Sequence, residues 1–134
     1  FSTQDCDILV KNTSQNLYSA LKILEKEGFV LEANREPIGK IDRWLAEKII
    51  KHKAVVVARK GKVLRIDVVL NGGKIPYNEW DKNKKNFIVG KIKIPVGNLT
   101  QLLRAKENAG REKDRVFLKL YKIQLKEIVK EKSL

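Results

Sequence analysis

Thr3-Gln4-Asp5-Cys6-Asp7-Ile8-Leu9-Val10 sets two carboxylates, two residues apart, at the mouth of an apolar run. Read as a strand, the run sends successive side chains to opposite faces, so Asp5 and Asp7 share one face while Cys6 and Ile8 share the other, which can be buried. Two like charges side by side on a sheet repel. A divalent cation between them reverses that, because hard ions such as Mg²⁺ take one or two protein carboxylates and leave room for substrate phosphates. The plain alternative is a polar strand end carrying two solvated acids.

A third acid stands in Val63-Leu64-Arg65-Ile66-Asp67-Val68-Val69-Leu70, a run rich in β-branched residues that predicts another strand. Burying a carboxylate in such a run is costly unless it is paired or bound to metal. Arg65, two residues away on the same face, offers an ion pair. If this strand neighbours the first, Asp5, Asp7 and Asp67 can converge at one rim of the sheet. Three carboxylates suffice for a two-metal site in which the ions clamp the attacking and leaving oxygens of an in-line displacement.

Between and beyond these strands the pattern is mixed. Thr13 and Ser14 with Asn12 offer a cap, and Leu17, Tyr18, Leu21 and Leu24 repeat at helical spacing until Gly28. Phe29–Glu32 is a short strand, so the chain begins strand–helix–strand, as a crossover unit does. Pro37 and Gly39 mark a loop. Ile41 to His52 predicts an amphipathic helix with Ile41, Trp44, Leu45 and Ile49 as its apolar positions. Ala54–Ala58 and Val63–Leu70 then pair as a hairpin through the basic Arg59-Lys60-Gly61-Lys62. Asn71-Gly72-Gly73-Lys74 is a turn, because neither Ser, Thr nor a helix follows as a phosphate loop requires. Residues 74–86 read as a polar, Lys-rich loop whose Tyr77 and Trp80 either stack on a base or anchor the loop. Phe87–Val96 reads as one half-buried strand with Pro95 at its edge or end. Asn98 or Thr100 caps a helix running to Gly110, and a last helix spans about 112–132, with Phe117, Leu120, Tyr121, Ile123 and Ile128 on an imperfect apolar face. The sum is α+β: one domain over residues 1–134, a small mixed sheet with flanking helices and a C-terminal helical hairpin.

The 134 residues suffice for a real core. No apolar stretch approaches a membrane span, so no membrane partner is expected. A single cysteine, Cys6, excludes an internal disulfide and suggests a reducing, cytoplasmic setting. With one His and one Cys, a zinc site of the usual ligand count is excluded and a Ser-His-Asp or Cys-His catalytic group is disfavoured. The net charge of +13 implies a polyanionic partner: nucleotide, nucleic acid or an acidic protein. A surface rich in Lys and Glu explains the number of charges but not their imbalance.

Thr-x-Asp-x-Asp-Ile-Leu-Val, a helix ending at Gly28-Phe29 and a later Ile-Asp-Val together resemble the nucleotidyltransferase superfamily of the DNA polymerase beta type. Near the other end, Leu102-Leu103-Arg104-Ala105-Lys106-Glu107-Asn108-Ala109-Gly110-Arg111-Glu112-Lys113-Asp114 is similar to a segment of abortive-infection-type nucleotidyltransferases, a prokaryotic group that includes toxins of toxin–antitoxin pairs. The resemblance implies a nucleotidyltransferase-type sheet. It implies Mg²⁺ or Mn²⁺ held by Asp5, Asp7 and Asp67, with Asp67 helping to remove the acceptor proton. It implies that Lys106, Arg111 and Lys113 neutralise the leaving pyrophosphate, that Asp114 pairs with one of these bases or touches the nucleotide, and that Thr3 contacts phosphate. The implied partners are a nucleoside triphosphate, RNA or DNA, and an acidic antitoxin-like protein. Members of the family also carry a Gly-Ser or Gly-Gly turn on a helix about ten residues before Asp-x-Asp. The chain starts at Phe1 and holds no Met, so that helix and turn are expected to lie upstream of it.

Overall fold

The computed structural model describes residues 5–116 and residue 119. Thr3 and most of the expected last helix, including Phe117, Leu120, Tyr121, Ile123 and Ile128, lie outside the described residues. The chain divides into two compact units, Phe1–Leu70 and Asn71–Leu134.

The first unit is a five-stranded mixed sheet with two helices on one face. Its elements are β1 (Asp5–Leu9), α1 (Ser14–Lys26), β2 (Val30–Ala33), β3 (Glu36–Pro37), α2 (Arg43–His52), β4 (Val56–Lys60) and β5 (Leu64–Val69). The strand order is β1-β5-β4-β2-β3. β1 and β5 are parallel and every other pairing is antiparallel. It follows that β1 and β2 run the same way with two strands between them. The expected crossover is therefore present, but it skips two places.

Local chemistry accounts for the helix ends. The Thr13 hydroxyl accepts from the Asn16 amide and Asp42 accepts from the Leu45 amide at 2.8 Å, each satisfying an N-terminal donor that has no partner within its helix. Leu17, Leu21 and Leu24 of α1 and Ala46 and Ile49 of α2 meet Leu31, Val56, Ala58 and Val68 of the sheet in one core. Alternation then fixes the other face. Across it run two rows in register: Asp7, Asp67, Val57 and Glu32; then Asp5, Arg65, Arg59 and Val30.

Three readings of this unit are corrected. Pro37 belongs to a short edge strand rather than a loop, a place where a missing N–H costs no ladder bond. The turn before it, Asn34-Arg35, has positive φ at both residues, the type I′ form that matches strand twist. Trp44 is 64 % exposed rather than on the buried stripe of α2, and the Lys48 ammonium sits 5.4 Å from its ring. Cys6 and Ile8 stay exposed because β1 is the edge strand.

The second unit contains α3 (Tyr77–Lys82), β6 (Lys85–Val89), β7 (Ile92–Val96) and α4 (Leu99–Ala109). The expected loop at 74–86 instead holds α3. Its Trp80 indole donates to the Gly72 carbonyl at 3.0 Å, and a Cβ on either Gly72 or Gly97 would strike the Trp80 ring. Trp80 therefore anchors the turn, the second of the two roles open to it. The expected strand at 87–96 is a hairpin. Gly90 takes φ +63 while Lys91 does not turn positive, the type II′ pattern that folds the run back on itself. Its pairing puts Phe87, Val89, Ile92, Ile94 and Val96 on one exposed face. Asn98 caps α4 by accepting from the Thr100 amide. Residues 112–116 are again helical. Among the described residues no helix is long and apolar enough to cross a membrane.

Candidate functional site

The Asp-x-Asp spacing and the Arg-x-Asp spacing each set two side chains on one strand face. The parallel pairing of β1 with β5 then aligns them: Asp5 stands opposite Arg65, and Asp7 opposite Asp67. All four lie on the face away from α1 and α2. Neighbouring strands are about 4.8 Å apart, so Asp7 and Asp67 form a like-charged pair on adjacent strands. Such a pair is destabilising unless a cation lies beside it.

Arg65 is one such cation. Its Nε donates to Asp67 Oδ1 at 2.8 Å and its Nη2 to Oδ2 at 3.4 Å. The bond and charge of Asp67 raise the Arg65 pKa above its ordinary value, with smaller contributions from Asp5 and Asp7, so this guanidinium is permanently charged. The ion pair open to Asp67 from the sequence is therefore formed, and it coexists with the alignment of the three acids on one face. Among the described residues no three Asp, Glu, His or Cys side chains are gathered closely enough to hold one ion. The donor chemistry nonetheless suits Mg²⁺ or Mn²⁺, which commonly take one or two protein carboxylates and complete their shell with water and phosphate oxygens. An ion at Asp67 would have to share that carboxylate with Arg65.

In the second unit, α4 ends at Ala109 and Gly110 turns the chain in the left-handed region. Asp114 follows and is 1 % exposed. Its Oδ2 accepts from Arg111 Nε at 2.6 Å, and its Oδ1 lies 3.5 Å from Lys106 Nζ. The Arg111 hydrogen bond lowers the Asp114 pKa below the usual carboxylate value; burial opposes this, and the charges of Arg111 and Lys106 add to the lowering. Of the two roles open to Asp114, the structure shows the pairing with bases, and with both at once. Asp114 thus positions two cations, Arg111 remaining 60 % exposed. Lys113 is exposed beside them. Arg111, exposed and held by a buried acid, with the half-buried Lys106 on the same carboxylate, can receive an anion without first being ordered.

Strand register, which the sequence leaves open, assembles a further charged group. Glu32 accepts from Arg59 Nε at 3.0 Å, and these two line a depression on the face away from α1 and α2 together with Arg35, Val55, Val57 and Arg65. The one usable signal was the alternation of Arg59 with Val57 and of Arg65 with Asp67, which sets all four on one face once the hairpin register is known.

No protein-family model matches the chain, and neither does any curated protein or solved structure.

Proposed function

We propose that the chain is a metal-dependent nucleotidyltransferase, moving a nucleoside monophosphate from a nucleoside triphosphate to an acceptor hydroxyl and releasing pyrophosphate. One observation carries the reading: Asp7 lies in register with Asp67, with Asp5 on the same face, away from α1 and α2. Like charges set side by side there have a rationale if cations are to be held. Asp5, Asp7 and Asp67 are the residues that would hold Mg²⁺ or Mn²⁺, which when bound supplies charge neutralisation at the phosphates. Asp67 receives the proton of the acceptor hydroxyl as its oxygen attacks the α-phosphorus and the bond to pyrophosphate breaks. Arg65 orients the Asp67 carboxylate. Lys106, Arg111 and Lys113 are the cations suited to polyphosphate oxygens, Arg through its fork and Lys as a point charge.

The test is transfer of label from an α-phosphate-labelled nucleoside triphosphate to RNA, protein or small acceptors, in the wild type and in Asp7→Asn and Asp67→Asn. Loss of transfer by at least a hundredfold in both variants is expected. Transfer that survives both substitutions sinks the mechanism. A second reading is favoured by the Arg65–Asp67 ion pair, which already gives the acids a cation: a basic nucleic-acid-binding domain without chemistry. It predicts salt-sensitive nucleic-acid binding and no Mg²⁺-dependent nucleotide binding.

A further inference from the structure

The depression on the sheet face away from α1 and α2 is built in a way that suits an anionic ligand. Arg59 is held through its Nε by Glu32, leaving its two terminal nitrogens for another partner. Arg65 is held through Nε and Nη2 by Asp67, leaving Nη1. Each guanidinium is thus fixed from one side by a carboxylate, so little side-chain freedom remains to be lost when a ligand binds.

Arg35 completes the set from the β2–β3 turn. Its φ of +70 is a conformation that non-glycine residues adopt uncommonly. The turn is tied down on its neighbour: the Asn34 amide donates to the Val55 carbonyl at 2.9 Å, and the Val55 amide donates to Asn34 Oδ1 at 2.9 Å. Between the arginines lies an apolar floor, Val57 and the 62 % exposed Val55.

Arg59 is paired with Glu32 and Arg65 with Asp67, so of the three guanidinium groups that of Arg35 supplies the excess positive charge, while the free nitrogens of the other two still offer donors to an anion. Planar forks match phosphate oxygens. The valine floor suits the uncharged sugar or base between phosphates. β2 and β5 are separated by one strand, so this lining spans about 10 Å and ends at Arg65, which also holds Asp67. An extended chain of phosphodiesters meets these conditions better than an isolated phosphate.

We propose that this depression binds the phosphodiester backbone of a single-stranded nucleic acid whose terminal hydroxyl is the acceptor. The assignment rests on the transferase reading and names its acceptor class. Arg35 and Arg59 bind the acceptor strand, and Glu32 acts as the positioning residue for Arg59.

Fluorescence anisotropy of labelled RNA and DNA oligonucleotides of about twelve nucleotides, titrated with the full chain, tests it. Arg35→Gln and Arg59→Gln should each weaken binding about five- to tenfold and lower the salt slope by about one, while Mg²⁺-dependent binding of a nucleoside triphosphate stays unchanged. Arg59→Lys, which keeps charge and loses the fork, should fall between wild type and Arg59→Gln. Binding is compared only among variants whose circular dichroism and melting match wild type. Wild-type affinity for both oligonucleotides in Arg35→Gln and Arg59→Gln overturns the proposal. So does loss confined to an acidic peptide such as poly-glutamate, which assigns the depression to a protein partner. Weakened oligonucleotide binding in a chain whose wild type transfers no nucleotide keeps the depression as a nucleic-acid site and ends the transferase reading alone.

Discussion

The two units hold themselves together by different means. In Phe1–Leu70, apolar side chains from both helices and three strands close into a single core. In Asn71–Leu134, the buried hydrophobic residues among those described are Ile75 and Leu103, and the other buried residues are Gln101 and Asp114. Among these described residues polar ties do much of the joining. Gln101 Nε2 and Arg104 both donate to Glu79, Asn108 donates to the Gly73 carbonyl, and Asp114 holds Arg111 and Lys106. Gly73 also lets α4 approach closely, since a Cβ there would meet the Ala105 backbone at 2.6 Å. Charge divides as unevenly. Residues 1–70 carry 13 Lys and Arg against 9 Asp and Glu, and residues 71–134 carry 16 against 7. The lesson is that hydrophobic burial stabilises the unit bearing the carboxylates, whereas among the described residues of the strongly basic one neutral and charge-assisted hydrogen bonds tie the elements. The two should therefore answer differently to truncation and to acid.

The largest effect belongs to the apolar core. Leu21 has no exposed surface, so Leu21→Ala should cost about 2–5 kcal/mol through lost burial and the cavity left behind. Urea unfolding followed by circular dichroism reads this directly. A cost below about 1 kcal/mol would show that the core does not dominate the first unit.

Asp114→Asn comes next, at about 1–3 kcal/mol, because it removes a buried charge that both Arg111 and Lys106 address. The pKa of Asp114 is lowered by folding. Its contribution is therefore full at neutral pH and fades as pH drops below the unfolded value, 3.8, and through the lowered folded one. Thermal melts of wild type and variant should differ at neutral pH and converge in strong acid. A gap that persists unchanged in acid would mean that charge is not what Asp114 contributes.

The smallest effect is expected on the β6–β7 hairpin. Ile88 is 75 % exposed, so Ile88→Thr should change stability by less than about 0.5 kcal/mol. A larger loss by the same melts would reveal packing on the hairpin and blur the contrast between the units.

Much of the first unit was legible in the chain. Leu17, Leu21 and Leu24 announced α1 by their spacing, Thr13 was among the caps offered for it, and Asp5 with Asp7 had to share a face in any strand, whereas the Asp42 cap starts α2 two residues later than the apolar pattern suggests. The second unit was harder to read because its signals are short. Tyr77–Lys82 offers too few turns to show helical periodicity, and in Phe87–Val96 the alternation survives a two-residue turn, so Gly90 was passed over as part of one strand.

Spacing within a segment is a covalent property, and the chain alone therefore settled which residues stand on a common strand face and that α1, α2 and α4 are helices. Which strands become neighbours depends instead on long-range pairing and on the core that selects it. Only that tertiary choice sets Asp7 against Asp67, Glu32 against Arg59 and Asp114 against Lys106, and with them the chemistry the surface can offer.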